Sequence, residues 1–288
     1  MNDATALSTK IRGLARLFRF ELPFAAGICV LLGELLALGH FPSLSAVGLG
    51  FGSVFCISAS ALILNDYFDI ESDQINAPQR PLPSGMVTPR DVIVLSVVVT
   101  LLGLTLSYLI SVTALLVAVL VWLVGFLYNW RFKKTGLPGN LMVSFSVGMT
   151  FVFGGVVVAR PFHPIAWFFA IIAALINLGE EIAADAMDSA GDQQAGSRSL
   201  AIRWGPEKAL RISSTLFILV VLLSSLPFLF GWLPPIYLLP ISLMDGSILY
   251  GTIQLLNPRQ PDKRDYIRWI YLGASAGMLL FLIMRLII

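Results

Sequence analysis

Nine apolar runs divide the chain, at about residues 22–39, 44–64, 91–110, 113–129, 140–159, 164–182, 212–230, 234–253 and 267–287. Each approaches the roughly 20 apolar residues that a helix needs to cross a bilayer. The strict in–out alternation of a barrel strand is missing. Polar residues collect between the runs in two kinds of connection. Gly39–Ser43, Ile110–Thr113, Arg160–Pro164 and Gly231–Pro234 are short and poor in charge, whereas Asn65–Arg90, Trp130–Gly139, Ala183–Arg211 and Gln254–Tyr266 are longer and polar. No secretory signal pattern precedes the first run. Lys10 to Phe20 instead mixes basic and apolar residues at helical spacing, which predicts a surface helix within residues 1–20.

Composition sharpens this picture. Of 288 residues, 57% are hydrophobic and 12% charged, and the mean hydropathy is +0.84. Soluble domains carry about 25% charged residues, so a soluble cytosolic enzyme, a disordered chain and a secreted disulfide scaffold are excluded. Cys29 and Cys56 lie inside apolar runs without ligand-like neighbours and read as packing residues. The 19 Lys and Arg are unevenly placed. Arg160 and Arg285 lie on one face; all the others lie in the N-terminal segment or in and beside the longer connections. The positive-inside rule then predicts a cytoplasmic N-terminus and cytoplasmic long loops, with the C-terminus outside. The expectation is a multi-pass cell-membrane protein, all-α, with one domain spanning residues 1–288.

Acidic residues mark where the chemistry lies. Nine of 17 fall in two stretches, Asn65–Asp73 after the second run and Glu180–Asp192 after the sixth. Asn65, Asp69 and Asp73 are four apart, and Glu181, Asp185, Asp188 and Asp192 follow steps of four, three and four. On a helix each set forms one stripe. Stacked carboxylates repel one another, so a cation is expected among them. Hard oxygen donors that keep some water suit Mg²⁺, which binds through one or two carboxylates plus substrate phosphates. The metal set is then Asn65, Asp69, Asp73, Asp185, Asp188 and Asp192. Asp69, Asp73, Asp188 and Asp192 are expected to be its catalytic core.

Basic residues follow each stripe. Arg80 sits among Pro78, Pro81 and Pro83, Arg198 follows the second stripe, and Tyr128, Arg131, Lys133 and Lys134 lie in the stretch between. Acid stripes with metal, flanked by guanidinium and ammonium groups, describe a diphosphate site. With Arg19, Asp66 and Glu181 these residues make the substrate-binding set. A span ending in an acid stripe, a loop with an Arg and two further spans occur at 44–129 and again at 164–253. That offset would place the stripes across a central cavity.

These motifs resemble the UbiA superfamily of intramembrane prenyltransferases. That family carries NDxxDxxxD after its second span, followed by a Pro-Arg-Pro-rich loop, and DxxDxxxD after its sixth. Asn65–Asp73, Arg80-Pro81 and Asp185–Asp192 match. The resemblance covers nearly the whole chain. It implies nine transmembrane helices around a central cavity with cytoplasmic cap loops. It also implies prenyl transfer from an allylic diphosphate, with Mg²⁺ as cofactor and diphosphate as product. Within the superfamily the chain is similar to the digeranylgeranylglyceryl phosphate synthase branch, in Glu181–Asp192, Gly196–Leu200 and Thr135–Asn140. That branch joins a geranylgeranyl group to the hydroxyl of geranylgeranylglyceryl phosphate. Two departures stand out: Ala184 occupies a position often held by Lys, and Phe20–Pro23 lacks an expected Asn.

Other readings remain open at this level. The acceptor could be an aromatic ring of the quinone or chlorophyll type, or absent, as in a membrane terpene cyclase. Acid stripes in a bundle can also form a cation path, although a transporter site would lie near the midplane. The partners expected are a prenyl diphosphate, a lipid or aromatic acceptor and membrane lipids, with no nucleic acid. Glu34 and Asp245 lie within spans one and eight, outside the site. Glu34 could lie near the outer surface, and Asp245 could pair with a hydroxyl.

Overall fold

A computed structural model describes residues 3–194, 196–260 and 262–287; the side chains of residues 3–6, 190, 192 and 194 lie outside that description. Among the described residues every regular element is helical. The α-helices are α1 (Asp3–Leu17), α2 (Glu21–Leu38), α3 (Leu44–Phe68), α4 (Ile70–Asn76), α5 (Pro89–Ile110), α6 (Val112–Leu127), α7 (Leu137–Val157), α8 (Pro164–Gln194), α9 (Leu200–Trp204), α10 (Pro206–Leu223), α11 (Leu226–Leu229), α12 (Leu238–Leu256) and α13 (Arg264–Ile287). A π-helical turn at Tyr128–Phe132 and two 3₁₀ turns, Lys133–Thr135 and Pro235–Tyr237, complete the set. Among the described residues nine helical stretches are long and apolar enough to cross a membrane, the number read from the apolar runs.

Helix starts follow capping chemistry. Thr88 and Asp91 form a capping box at the head of α5, and Ser43, Ser111 and Ser199 each accept a backbone N–H at theirs. Two spans outlast their apolar runs. Helix α3 continues to Phe68 and α8 to Gln194, because neither contains a proline there and the second extension carries four Ala, Met187 and two Gln, good helix formers that outweigh Gly191. The acidic stretches are therefore helical continuations of their spans.

The chain forms two compact units. The first comprises Met1–Leu38, Pro42–Trp130 and Thr150–Pro161. There α3 packs against α2, α5 and α6. Buried Leu17, Cys56, Ala59, Ile63, Leu82, Val87, Val92 and Val99 make one core, so α1 and the loop before α5 are pinned to the span helices. A Lys10–Asp91 ion pair of 2.7 Å adds to that docking. Cys56 is buried and Cys29 half-buried, as packing residues should be.

The second unit comprises Gly39–Phe41, Arg131–Met149 and Phe162–Ile288. Helix α10 packs on α8 and α12, α12 on α13, and α13 back on α8. Ile182, Phe217, Ile248, Leu255 and Ile270 lie in its core. Asp245 pairs with a hydroxyl as expected: Ser224 Oγ donates to it at 2.7 Å. Glu34, in the first unit, is wholly buried (0% exposed), and among the described residues neither carboxyl oxygen has a hydrogen-bond partner. Large apolar side chains such as Val97, Leu101, Leu116 and Leu120 face outward, as lipid contact requires.

Candidate active site

The first acidic motif is built where α3 gives way to α4. Asp69, with φ −91° and ψ 2°, interrupts the helix. The bonds from Asp69 N to Asn65 O (2.9 Å) and from Asp73 N to Asp69 O (2.8 Å) nevertheless keep helical spacing across the break. The predicted stripe thus survives the interruption. Asn65 Nδ2 donates to Asn129 Oδ1 at 3.0 Å, and Asn129 Nδ2 donates to the Ala61 carbonyl at 2.9 Å, which fixes the head of the motif. Asp66 and Asp73 are 2% and 5% exposed. Buried carboxylates need partners. Asp66 pairs with Arg19. Arg80 Nη1 lies 2.7 and 2.6 Å from the two oxygens of Asp73, and 3.9 Å from Asp66. Asp69 is half-buried beside them and also acts on the Arg80 charge.

The loop that supplies Arg80 is stiff. Arg80 N bonds the Ala77 carbonyl, Ser84 N bonds Arg80 O, and Met86 N bonds Pro81 O, while Leu82 and Val87 are buried in the core. Burial of the Arg80 guanidinium opposes its charge, but the hydrogen bond to Asp73 and the charges of Asp73, Asp66 and Asp69 outweigh that and raise its pKa above the usual value. Arg19 joins α1 to α2 with φ 45°, a left-handed conformation uncommon for a non-glycine residue. Its ion pair with Asp66 forms from that bend.

The second motif lies on α8. Asp185 Oδ2 accepts from Asn140 Nδ2 at 2.9 Å. Below it, Ser144 Oγ approaches Asn177 Oδ1 at 3.1 Å and donates to the Asn140 carbonyl at 2.7 Å. Glu181 is half-buried and feels the charges of Asp185 and Lys133. Asp188 is exposed and pairs with Arg264. Asp192 belongs to the same helix, but its side chain lies outside the described residues. Tyr128 is half-buried in the π-helical turn, and Arg131, Lys133, Lys134 and Arg198 are exposed. Two of these basic segments are tied together, since Arg198 N donates to the Lys134 carbonyl at 3.0 Å. Gly136 lies under that tie with φ 75°. A Cβ there would meet Ser199 Cα at 2.7 Å and Arg198 C at 2.9 Å.

Three features escaped the sequence reading. Asn129 and Asn140 orient motif residues; the available signal was an amide at the edge of an apolar run. Arg264, counted only as a topology marker, pairs with Asp188. Among the described residues, no three carboxylate, thiol or imidazole side chains converge on a ready-made metal site. The donors of the first motif are all oxygen, and they are few. That fits a Mg²⁺ ion held through one or two carboxylates, with the rest supplied by phosphate and water.

Comparison with known proteins agrees with the helical fold. A profile of the UbiA prenyltransferase family matches residues 26–282. The chain is 34% identical over 257 residues to the digeranylgeranylglyceryl phosphate synthase of Methanopyrus kandleri, covering 89% of this chain and 93% of that one. It superposes with a TM-score of 0.82 and 30% identity on a solved structure described as digeranylgeranylglyceryl phosphate synthase in membranes, covering 97% and 99% of the two chains. A UbiA homologue from Archaeoglobus fulgidus, bound to DMAPP and Mg²⁺, shares the fold with a TM-score of 0.68 at 19% identity, over 93% and 99% of the chains. A multi-pass membrane enzyme, the chain belongs to the UbiA prenyltransferase family.

Proposed function

We propose that the protein transfers a prenyl group, geranylgeranyl in the first instance, from its allylic diphosphate to a phosphate-bearing lipid acceptor such as geranylgeranylglyceryl phosphate. Diphosphate is released. The observation that carries this reading is the cluster of buried Asp66 and Asp73 with half-buried Arg19 and Arg80: two carboxylates and two guanidiniums held within one ion-pair network. The relatives named above support the lipid acceptor, and the Archaeoglobus homologue, bound to DMAPP and Mg²⁺, supports the donor and metal.

Mg²⁺ would be held by Asn65, Asp69 and Asp73 of the first motif and Asp185, Asp188 and Asp192 of the second, and when bound would neutralise charge on the leaving diphosphate. The chain's own groups do the rest. Arg80, on its stiff loop, hydrogen-bonds diphosphate oxygens as the allylic C–O bond breaks, and its planar fork matches their geometry. Lys133, Lys134 and Arg198 add positive charge where negative charge grows, worth most in a water-poor site. The acceptor hydroxyl attacks the allylic carbon, and its proton leaves with the departing diphosphate. In this reading residues 1–288 work as one functional domain, with the N-terminus and charged loops in the cytoplasm and the C-terminus outside.

The test is direct. Purified protein is incubated with geranylgeranyl diphosphate, Mg²⁺ and a panel of lipid and aromatic acceptors, and products are identified by mass. Digeranylgeranylglyceryl phosphate with stoichiometric diphosphate is the expected outcome, and EDTA should stop it. A prenylated aromatic, or a cyclised terpene without acceptor, would replace the lipid reading. No diphosphate release with any acceptor would remove the enzyme reading.

A further inference from the structure

A cleft of about 370 Å³ opens beside the second motif, lined by Glu180, Ala184, Met187 and Asp188 of α8 and by Arg264, Ile267, Arg268 and Tyr271 of α13. It lies wholly within the second unit. Arg264 and Arg268 are four apart and so share one face of α13. Arg264 reaches across to Asp188. Arg268 has no residue within ion-pair distance among the described residues. Glu180 stands on the opposite wall; its Oε1 is buried and makes no hydrogen bond among the described residues, a costly state for a carboxyl oxygen unless a ligand supplies a donor. Two guanidiniums and one acceptor oxygen in want of a hydroxyl define a specific ligand chemistry: a phosphate monoester carrying a free hydroxyl close to the phosphate.

We infer that this cleft seats the polar head of the acceptor, a glycerol phosphate, with its phosphate on Arg264 and Arg268 and a hydroxyl donating to Glu180. This rests on the lipid-acceptor reading above and adds residues that the motifs do not contain. Geometry favours it, because Asp188 is shared: the cleft wall and the second acidic motif meet at this residue, so a head group seated here lies beside that motif's carboxylates. Ala184 leaves room on the α8 wall. Phosphate reaching Arg264 would also compete with Asp188 for that guanidinium, so acceptor binding would free the carboxylate.

The experiment uses the full-length protein in neutral detergent with two acceptors, geranylgeranylglyceryl phosphate and its dephosphorylated alcohol. Equilibrium binding of each, without donor, is measured beside steady-state transfer. Arg268→Gln should weaken binding and raise KM for the phosphorylated acceptor by roughly tenfold to a hundredfold, the usual size of a charge-assisted contact. It should leave KM for geranylgeranyl diphosphate unchanged and have little effect on the alcohol. Arg268→Lys should restore part of the loss. Glu180→Ala should weaken both acceptors, and Glu180→Gln, which keeps an acceptor oxygen, should weaken them less. Phosphatidic acid, a phosphate monoester lacking the free hydroxyl, is the competing probe. Phosphatidic acid binding as tightly as geranylgeranylglyceryl phosphate would show that the hydroxyl contributes nothing, make the cleft a general lipid-headgroup site and overturn the assignment. If the wild type transfers to the phosphorylated acceptor while Arg268→Gln leaves its binding and KM unchanged, the cleft assignment falls and the prenyl-transfer reading stands. If the wild type releases diphosphate but neither binds nor prenylates that acceptor, both the lipid reading and the cleft assignment fall.

Discussion

Arg80 and Glu34 show how much one side chain's surroundings decide. Arg80 stands among prolines and bonds both oxygens of Asp73. A lysine there would keep the charge and lose the fork. Arg80→Lys is therefore expected to weaken donor diphosphate binding by roughly tenfold to a hundredfold, the range of a charge-assisted bond, equally for every acceptor, as donor KM and competition by diphosphate would show. A change in acceptor preference at unaltered donor affinity would contradict the role. Asp69→Ala is expected to abolish transfer while leaving the melting temperature near or above wild type, because it removes a carboxylate from an acidic cluster. Substantial turnover by this variant would remove Asp69 from the metal set. Glu34 is the opposite case. Its carboxyl is buried, packed near Gly50, Val157 and Val30, and without a hydrogen bond among the described residues. Replacing an unsatisfied buried polar group by an apolar one of similar size is stabilising, so Glu34→Leu should raise the apparent melting temperature in detergent and leave transfer intact. A lower melting temperature would show that the carboxyl has a structural task.

Among the elements, the segment joining the π-helical turn to α7 is tightly constrained. Gly136 combines φ 75° with backbone contacts that leave no room for a Cβ, whereas Gly85, also at φ 75°, has open space around it. Gly85→Ala should cost only the backbone strain, about 1 kcal/mol. Gly136→Ala adds a collision with Arg198 and Ser199, so it should melt clearly lower than Gly85→Ala and slow transfer as Lys134 and Arg198 separate. Equal melting temperatures for the two variants would show that the tie yields easily. The apolar runs made the span helices legible, and spacing of four made the acid stripes legible. The extents of α3 and α8 were not, because hydropathy falls at the membrane boundary while helical hydrogen bonding does not. Nor were Asn129 and Asn140, whose contacts join residues far apart in sequence. Arg264 was visible only as a charge, since its partner Asp188 lies a long way upstream.

For the whole molecule the charge asymmetry predicts an orientation that labelling can check. In a background lacking Cys29 and Cys56, Lys134→Cys should react with a membrane-impermeant thiol reagent only after permeabilisation. Phe162→Cys, at a position 83% exposed, should react in intact cells. The reverse pattern would invert the topology and put the acid motifs on the wrong side for a cytoplasmic diphosphate. The expected membrane class, the number of spans and the prenyltransferase family all agree with the structure and its relatives. Which acceptor is used was not legible, because the acidic and basic motifs speak to a diphosphate, and the cleft beside Asp188 needs two helices far apart in sequence to be folded together.

The pairing of Arg80 with Asp73 also bears on what the protein ignores. Cells are crowded with inorganic phosphate, nucleotides and other polyanions, and an open cluster of guanidiniums would collect them. A bare anion reaching Arg80 must pull it from a carboxylate that holds it through two oxygens, and would leave Asp73 buried without a counter-charge. An anion that arrives with its own divalent cation offers both residues a new partner in one exchange. Metal-free ATP and phosphate should therefore be feeble inhibitors, and Asp73→Asn, which loosens the hold on Arg80, should make the protein more vulnerable to them.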